Sequence, residues 1–149
     1  INMSVIQLDT FKKFNNDAEI KIPGIETTWN VTFDDAYRVK SSMIASQVEK
    51  LYRKSNDDDY LNKLLDMPDA KRKERLTKDM DEMKTTCING LNELLNDGKA
   101  GQQLYDTLGH STEILAQIIG QLNDSADKTL DLNKEEQDKA QMHLYDSER

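Results

Sequence analysis

Leu76-Thr77-Lys78-Asp79-Met80-Asp81-Glu82-Met83-Lys84-Thr85-Thr86-Cys87-Ile88-Asn89-Gly90-Leu91-Asn92-Glu93-Leu94 is the stretch that decides the fold class. Its apolar positions Leu76, Met80, Met83, Cys87, Leu91 and Leu94 step by four, three, four, four and three residues. That alternation holds them on one face of a helix of about 3.6 residues per turn, which the two-residue period of a strand cannot do. Met67-Pro68 sets a boundary just upstream, because proline is tolerated in a first turn and not inside a helix. Extended back to Asp69, the pattern predicts an amphipathic helix of about seven turns. Asn96-Asp97-Gly98 supplies its stop.

Upstream, Phe33, Tyr37, Lys40, Ile44, Val48 and Leu51 also fall at helical spacings, with Lys40 the polar interruption and Val39 and Met43 beside the stripe. Thr32 and Asp35 resemble a capping box at its start, and the helix is expected to stop near Ser55. Asn56-Asp57-Asp58-Asp59 then supplies the N-cap of a short helix through Leu61, Leu64 and Leu65.

Downstream, a further helix is predicted from near Gly101. It carries Leu104, Leu108, Ser111, Leu115, Ile118, Leu122, Ser125, Thr129 and Leu132 in a heptad-like register, leucine-rich early and polar late. Such a weakening seam suits an element of a coiled-coil assembly and equally an edge helix of a monomeric bundle. Residues 133–149 start again at a capping pair, Asn133 and Glu136, but offer few apolar side chains: Ala140, Met142, Leu144 and Tyr145. They read as a weakly docked helix or a tail.

The first 31 residues are of a different kind. Ile20 and Ile22 alternate with Lys21, Pro23-Gly24 is a turn signal, and Trp29, Val31 and Phe33 alternate with Asn30 and Thr32. This predicts an extended arm or short β-hairpin, which needs helices or a partner to lie on. Ser4–Phe14 is readable as a helix burying Val5, Leu8 and Phe11 or as a strand using Ile6 and Leu8. The expected fold is therefore mainly α. It is a single-domain antiparallel bundle of four to five helices over residues 32–132, with an N-terminal arm or hairpin. Its expected core is Phe33, Tyr37, Ile44, Val48, Leu51, Leu76, Met80, Met83, Cys87, Leu91, Leu94, Leu104, Leu108, Leu115, Ile118 and Leu122.

Composition removes several function classes. The chain has 149 residues and 17.1 kDa, carries a net charge of −8 and has a pI near 4.8. Residues 97–149 hold 11 acidic against 5 basic side chains, so most of the negative charge lies in the last third. Such a balance opposes nucleic acid as partner, since duplex binding rests on clustered Lys and Arg. The longest uncharged apolar run, Ile114–Leu122, is far short of the roughly 20 residues needed to cross a bilayer. The opening Ile1-Asn2-Met3 lacks the regions of an intact signal peptide, and a first residue other than Met suggests processing or excision.

Chemistry-bearing patterns are sparse. Cys87 with His110 or His143 offers a thiol and a base, but a cysteine on an apolar stripe is foremost a small buried hydrophobe. One thiol and two histidines cannot close a zinc site, and Glu-x-x-His pairs for a carboxylate-bridged metal are absent. Asp124–Glu135 has the length of a calcium loop but places Ala126, Lys128 and Thr129 where ligands and the turn glycine belong. Gly98-x-x-Gly101 lacks the residues of a phosphate cradle. Asn2, Asn30 and Asn123 fit the glycosylation acceptor triplet, a pattern common by chance. Neither a cofactor nor a metal is expected, and no enzyme.

Two candidate sites remain. Trp29, Val31 and Phe33, if exposed, would anchor a protein partner or a second copy of the chain. Lys71, Arg72, Lys73, Arg75 and Lys78 form a dense basic cluster that opposes the macrodipole at a helix start. An anionic peripheral surface would dock there, unless the cluster is simply a solvated face paired with Asp79, Asp81 and Glu82. The expected function is a non-enzymatic helical interaction or assembly module. The alternative is a carrier for a lipid or small apolar ligand, with Met43, Met67, Met80 and Met83 lining an adaptable cavity.

Overall fold

A computed structural model describes residues 3–8 and 15–147, with the side chains of residues 130–137, 140, 141 and 143–147 outside that description. The readings placed on Phe11 and His143, and the acceptor at Asn2, therefore fall outside it. The element order is β1 (Asp17–Ile20), β2 (Trp29–Thr32), α1 (Asp35–Ser55), α2 (Asp58–Leu65), α3 (Asp69–Leu94), α4 (Ala100–Thr107) and α5 (Thr112–Ser147). The protein is mainly helical, with a short antiparallel hairpin at its N-terminal end.

Local chemistry explains the boundaries. Asp34 caps α1 by accepting the Tyr37 backbone N–H at 2.8 Å, so the cap falls two residues after Thr32, the position the sequence pattern favoured. Asp57 caps α2 by accepting the N–H of Tyr60. Past the end of α3, Asn96 takes a left-handed conformation (φ 51°) that closes the helix. In the hairpin, Asp17 pairs with Thr32 and Ile20 with Trp29, and the Ile25 N–H returns to the Ile22 carbonyl across Pro23-Gly24, where Gly24 has φ 85°.

The single helix expected from Gly101 onward is instead two. Gly109 (φ 94°) and His110 (φ 55°) are both left-handed, which ends α4 and separates it from α5. The core stripe of α5 runs Leu115, Ile119, Leu122 and Ala126, while Ile118 is only half-buried. No break occurs at Asn133, and α5 continues unbroken to Ser147.

α1 runs antiparallel to α5. Arg38 meets Asp127 at 3.1 Å, and the buried Ser41 donates to Asn123 Oδ1 at 2.7 Å. Gly90 of α3 lies against Ile44 and Ile119, so α1, α3 and α5 share a centre around it. Leu91, Leu94, Leu104, Leu115 and Cys87 fill that centre. Gly101 lets α4 close on α3, since a Cβ there would overlap the Ile88 backbone, and its N–H donates to Asn92 Oδ1 at 2.7 Å. Among the described residues no helix is long and apolar enough to cross a membrane.

Candidate functional site

Trp29, Val31 and Phe33 are not an exposed anchor. Alternation along β2 turns all three inward, and Trp29 is 5% exposed. Its indole Nε1 donates to Asp97 Oδ2 at 3.0 Å, which ties the hairpin to the end of α3, and Gln103 of α4 adds a bond to Thr27 at 2.8 Å. Phe33 packs edge-on to Tyr37. A two-stranded ribbon cannot support itself in water, so its apolar face is spent on the bundle.

The basic cluster also divides. Arg72 reaches back across the α2–α3 turn and donates to the carbonyls of Leu64 (2.8 Å), Leu65 (3.3 Å) and Met67 (2.8 Å). It thereby satisfies the orphan carbonyls at the end of α2, which explains a cation near a helix start. Arg75 is held by Asp79, whose carboxylate also accepts the Tyr60 hydroxyl. Lys71, Lys73 and Lys78 stand exposed, the last two beside a shallow surface shared with Glu74 and Asp81.

Cys87 has no accessible surface, and burial pushes its thiol up to about 11, so it is a core side chain. His110 lies exposed beside Asp106, edge-on to Tyr105. Among the described residues no group of three or more His, Cys, Asp or Glu side chains is placed to hold a metal. Asn123 sits within α5 with its amide oxygen taken by Ser41.

The feature sequence reasoning missed is where the α3 stripe stops being core. Leu76 is 47% exposed and Met80 59%, although both continue the stripe that buries Cys87, Leu91 and Leu94. α5 begins at Thr112, alongside Met83, so the first turns of α3 have no α5 beside them. Only the end of α1 and the short α2 flank them, and α2 buries just Leu64. The result is a cleft of about 280 Å³ between α1, α2, α3 and the start of α5. Leu51, Leu61, Leu76, Met80 and Met83 make its apolar floor, and Tyr52 joins them.

Its charged lining is Glu82, Glu113 and Lys54, together with Asp79, which is already paired with Arg75. Burial and the Glu113 charge raise the Tyr52 hydroxyl, and burial with the Asp79 bond raises that of Tyr60, so both phenols stay neutral donors. The four methionines assigned to one cavity do not share it. Met80 and Met83 line the cleft, whereas Met43 lies by a separate surface between α1 and α5 with Val39, Arg38 and Asp127. No family model, no curated protein and no solved structure matches the chain.

Proposed function

We propose that the protein is a non-catalytic helical interaction module that docks an apolar segment of another polypeptide in the cleft between α1, α2, α3 and α5. The observation that carries this is the exposure of Leu76 and Met80 on a stripe that is otherwise core. Singly exposed apolar residues need no explanation, but a contiguous set lining a concavity beside charged groups is how docking surfaces are built. Met80 and Met83 suit such a role, because an unbranched thioether re-packs around different shapes. The charge of −8 on the chain makes a cationic segment the favoured partner and nucleic acid the disfavoured one.

The test is site-specific photocrosslinking. A benzophenone side chain is placed at Leu76, in the cleft, and separately at Lys73, outside it, within the cells that make the protein. A discrete polypeptide adduct formed at Leu76 and not at Lys73 supports the docking reading. Indistinguishable products from both positions contradict it.

A further inference from the structure

The cleft is lined by apolar side chains with Glu82 and Glu113 among them, and the chain itself carries an uncovered apolar segment. Met3, Val5, Ile6 and Leu8 are 86%, 92%, 82% and 74% exposed, the most exposed large apolar side chains of the described residues. They are followed in the sequence by Asp9 and then by Lys12-Lys13. Resting on the docking reading above, we propose that the Met3–Leu8 segment of a second copy of this chain occupies the cleft, with its apolar side chains on Leu61, Leu76 and Met80.

Reach favours a second copy over the segment's own cleft. The chain is pinned at Asn16, whose carbonyl accepts the Phe33 N–H at 2.8 Å beside the start of α1. The cleft lies near the far end of α1, at Leu51, about 24 Å along the helix axis. The stretch from Leu8 to Asn16 spans at most about 26–29 Å when fully extended. Filling the cleft in cis would therefore consume nearly the whole length of that stretch and leave only about 2–5 Å to pass around the bundle. A two-fold pair has the same tether but is free to set the partner's cleft within its reach, and its reciprocal exchange uses both segments and both clefts.

Sedimentation equilibrium of the full chain over a wide concentration range reads this directly. Wild type is expected to show a reversible monomer–dimer equilibrium. Ile6→Asp/Leu8→Asp, altered only at exposed positions, and Leu76→Asp/Met80→Asp are each expected to weaken association by about tenfold or more, because each removes large apolar side chains from the contact. Circular dichroism checks that both variants keep the helical fold. Mixed together, the two variants are expected to associate more tightly than either alone, since one intact segment then meets one intact cleft. A wild type that stays monomeric throughout overturns the proposal, as does a dimer indifferent to the Ile6→Asp/Leu8→Asp change. Association lost in the cleft variant alone also overturns it while leaving the docking reading standing. A crosslinked adduct at Leu76 with a different protein, from a monomeric chain, separates the two ideas in the same way.

Discussion

Trp29 and Asp97, 68 residues apart, are joined by an indole N–H donated to a carboxylate oxygen at 3.0 Å. The other oxygen of Asp97 accepts the Lys99 backbone N–H at 2.9 Å, so one side chain fixes the hairpin and the turn into α4 together. This makes Trp29 a closure of the bundle. Trp29→Ala is expected to destabilise the protein by about 3–5 kcal/mol, the usual cost of truncating a large buried aromatic. Urea unfolding followed by circular dichroism measures it, and an unchanged midpoint would return Trp29 to the role of a surface anchor.

The same pair sets an acid response. The Trp29 bond, and then the Lys99 N–H, hold the Asp97 carboxyl below its ordinary value of 3.8. A carboxylate lowered in the folded state stabilises fully above the unfolded value, and that contribution is lost as pH falls through the folded one. Trp29→Phe keeps most of the packing and removes the donor. The stability gap between wild type and Trp29→Phe should therefore stay constant near neutral pH and narrow only below about pH 3.8. A gap that changes between pH 5 and 7 would mean another group is responsible.

Gly101 and Gly98 lie three residues apart and should answer oppositely to alanine. At Gly101 a Cβ overlaps the Ile88 backbone, and backbone cannot swing aside as a side chain can. Gly101→Ala is expected to cost about 1–3 kcal/mol. Gly98 has open space around it, so Gly98→Ala should be neutral or stabilising by up to about 1 kcal/mol. Thermal melts of the two variants make the comparison.

Arg72 should separate from its lysine neighbours. Removing its bonds to the Leu64 and Met67 carbonyls frees the end of α2, so Arg72→Ala is expected to cost about 1 kcal/mol, toward the low end because the side chain is one-third exposed. Lys71→Ala and Lys73→Ala should stay within about 0.5 kcal/mol of wild type. Chemical denaturation of the three variants decides it.

Cys87 should be silent toward a thiol reagent in the native protein. It has no accessible surface, and its thiol is raised to about 11. Labelling is expected only at the rate of global opening and to rise steeply across the denaturation transition. Fast labelling of the native chain would place Cys87 at an accessible site.

Much of the bundle is legible in the sequence because strong three-four stripes and caps coincide. Ser55, Asp57, Pro68 and Asn96 mark ends that the structure keeps. The readings that fail share one cause, since they depend on what stands opposite a residue and not on its own pattern. Leu76 and Met80 carry the same stripe as Leu91 and Leu94, yet the late start of α5 leaves the first pair uncovered and the second buried. Ile118 yields its core position to Ile119, whose side chain lies against Gly90 of α3. Gly109 before His110 is the one mark of the α4–α5 break that the sequence carries. Arg72 looks like one of a patch because its acceptors are carbonyls, which no side-chain pattern reveals.

The central claim is that the cleft around Met80 seats an apolar segment of a second copy. Methyl resonances of selectively labelled methionines, followed from dilute to concentrated protein, test it most directly. Met3, in the segment, and Met80 and Met83, in the cleft, are expected to shift together along one binding curve, while Met43, on the separate α1–α5 surface, stays still. Unmoved Met80 and Met83 signals at every concentration, or a shift confined to Met43, would contradict it.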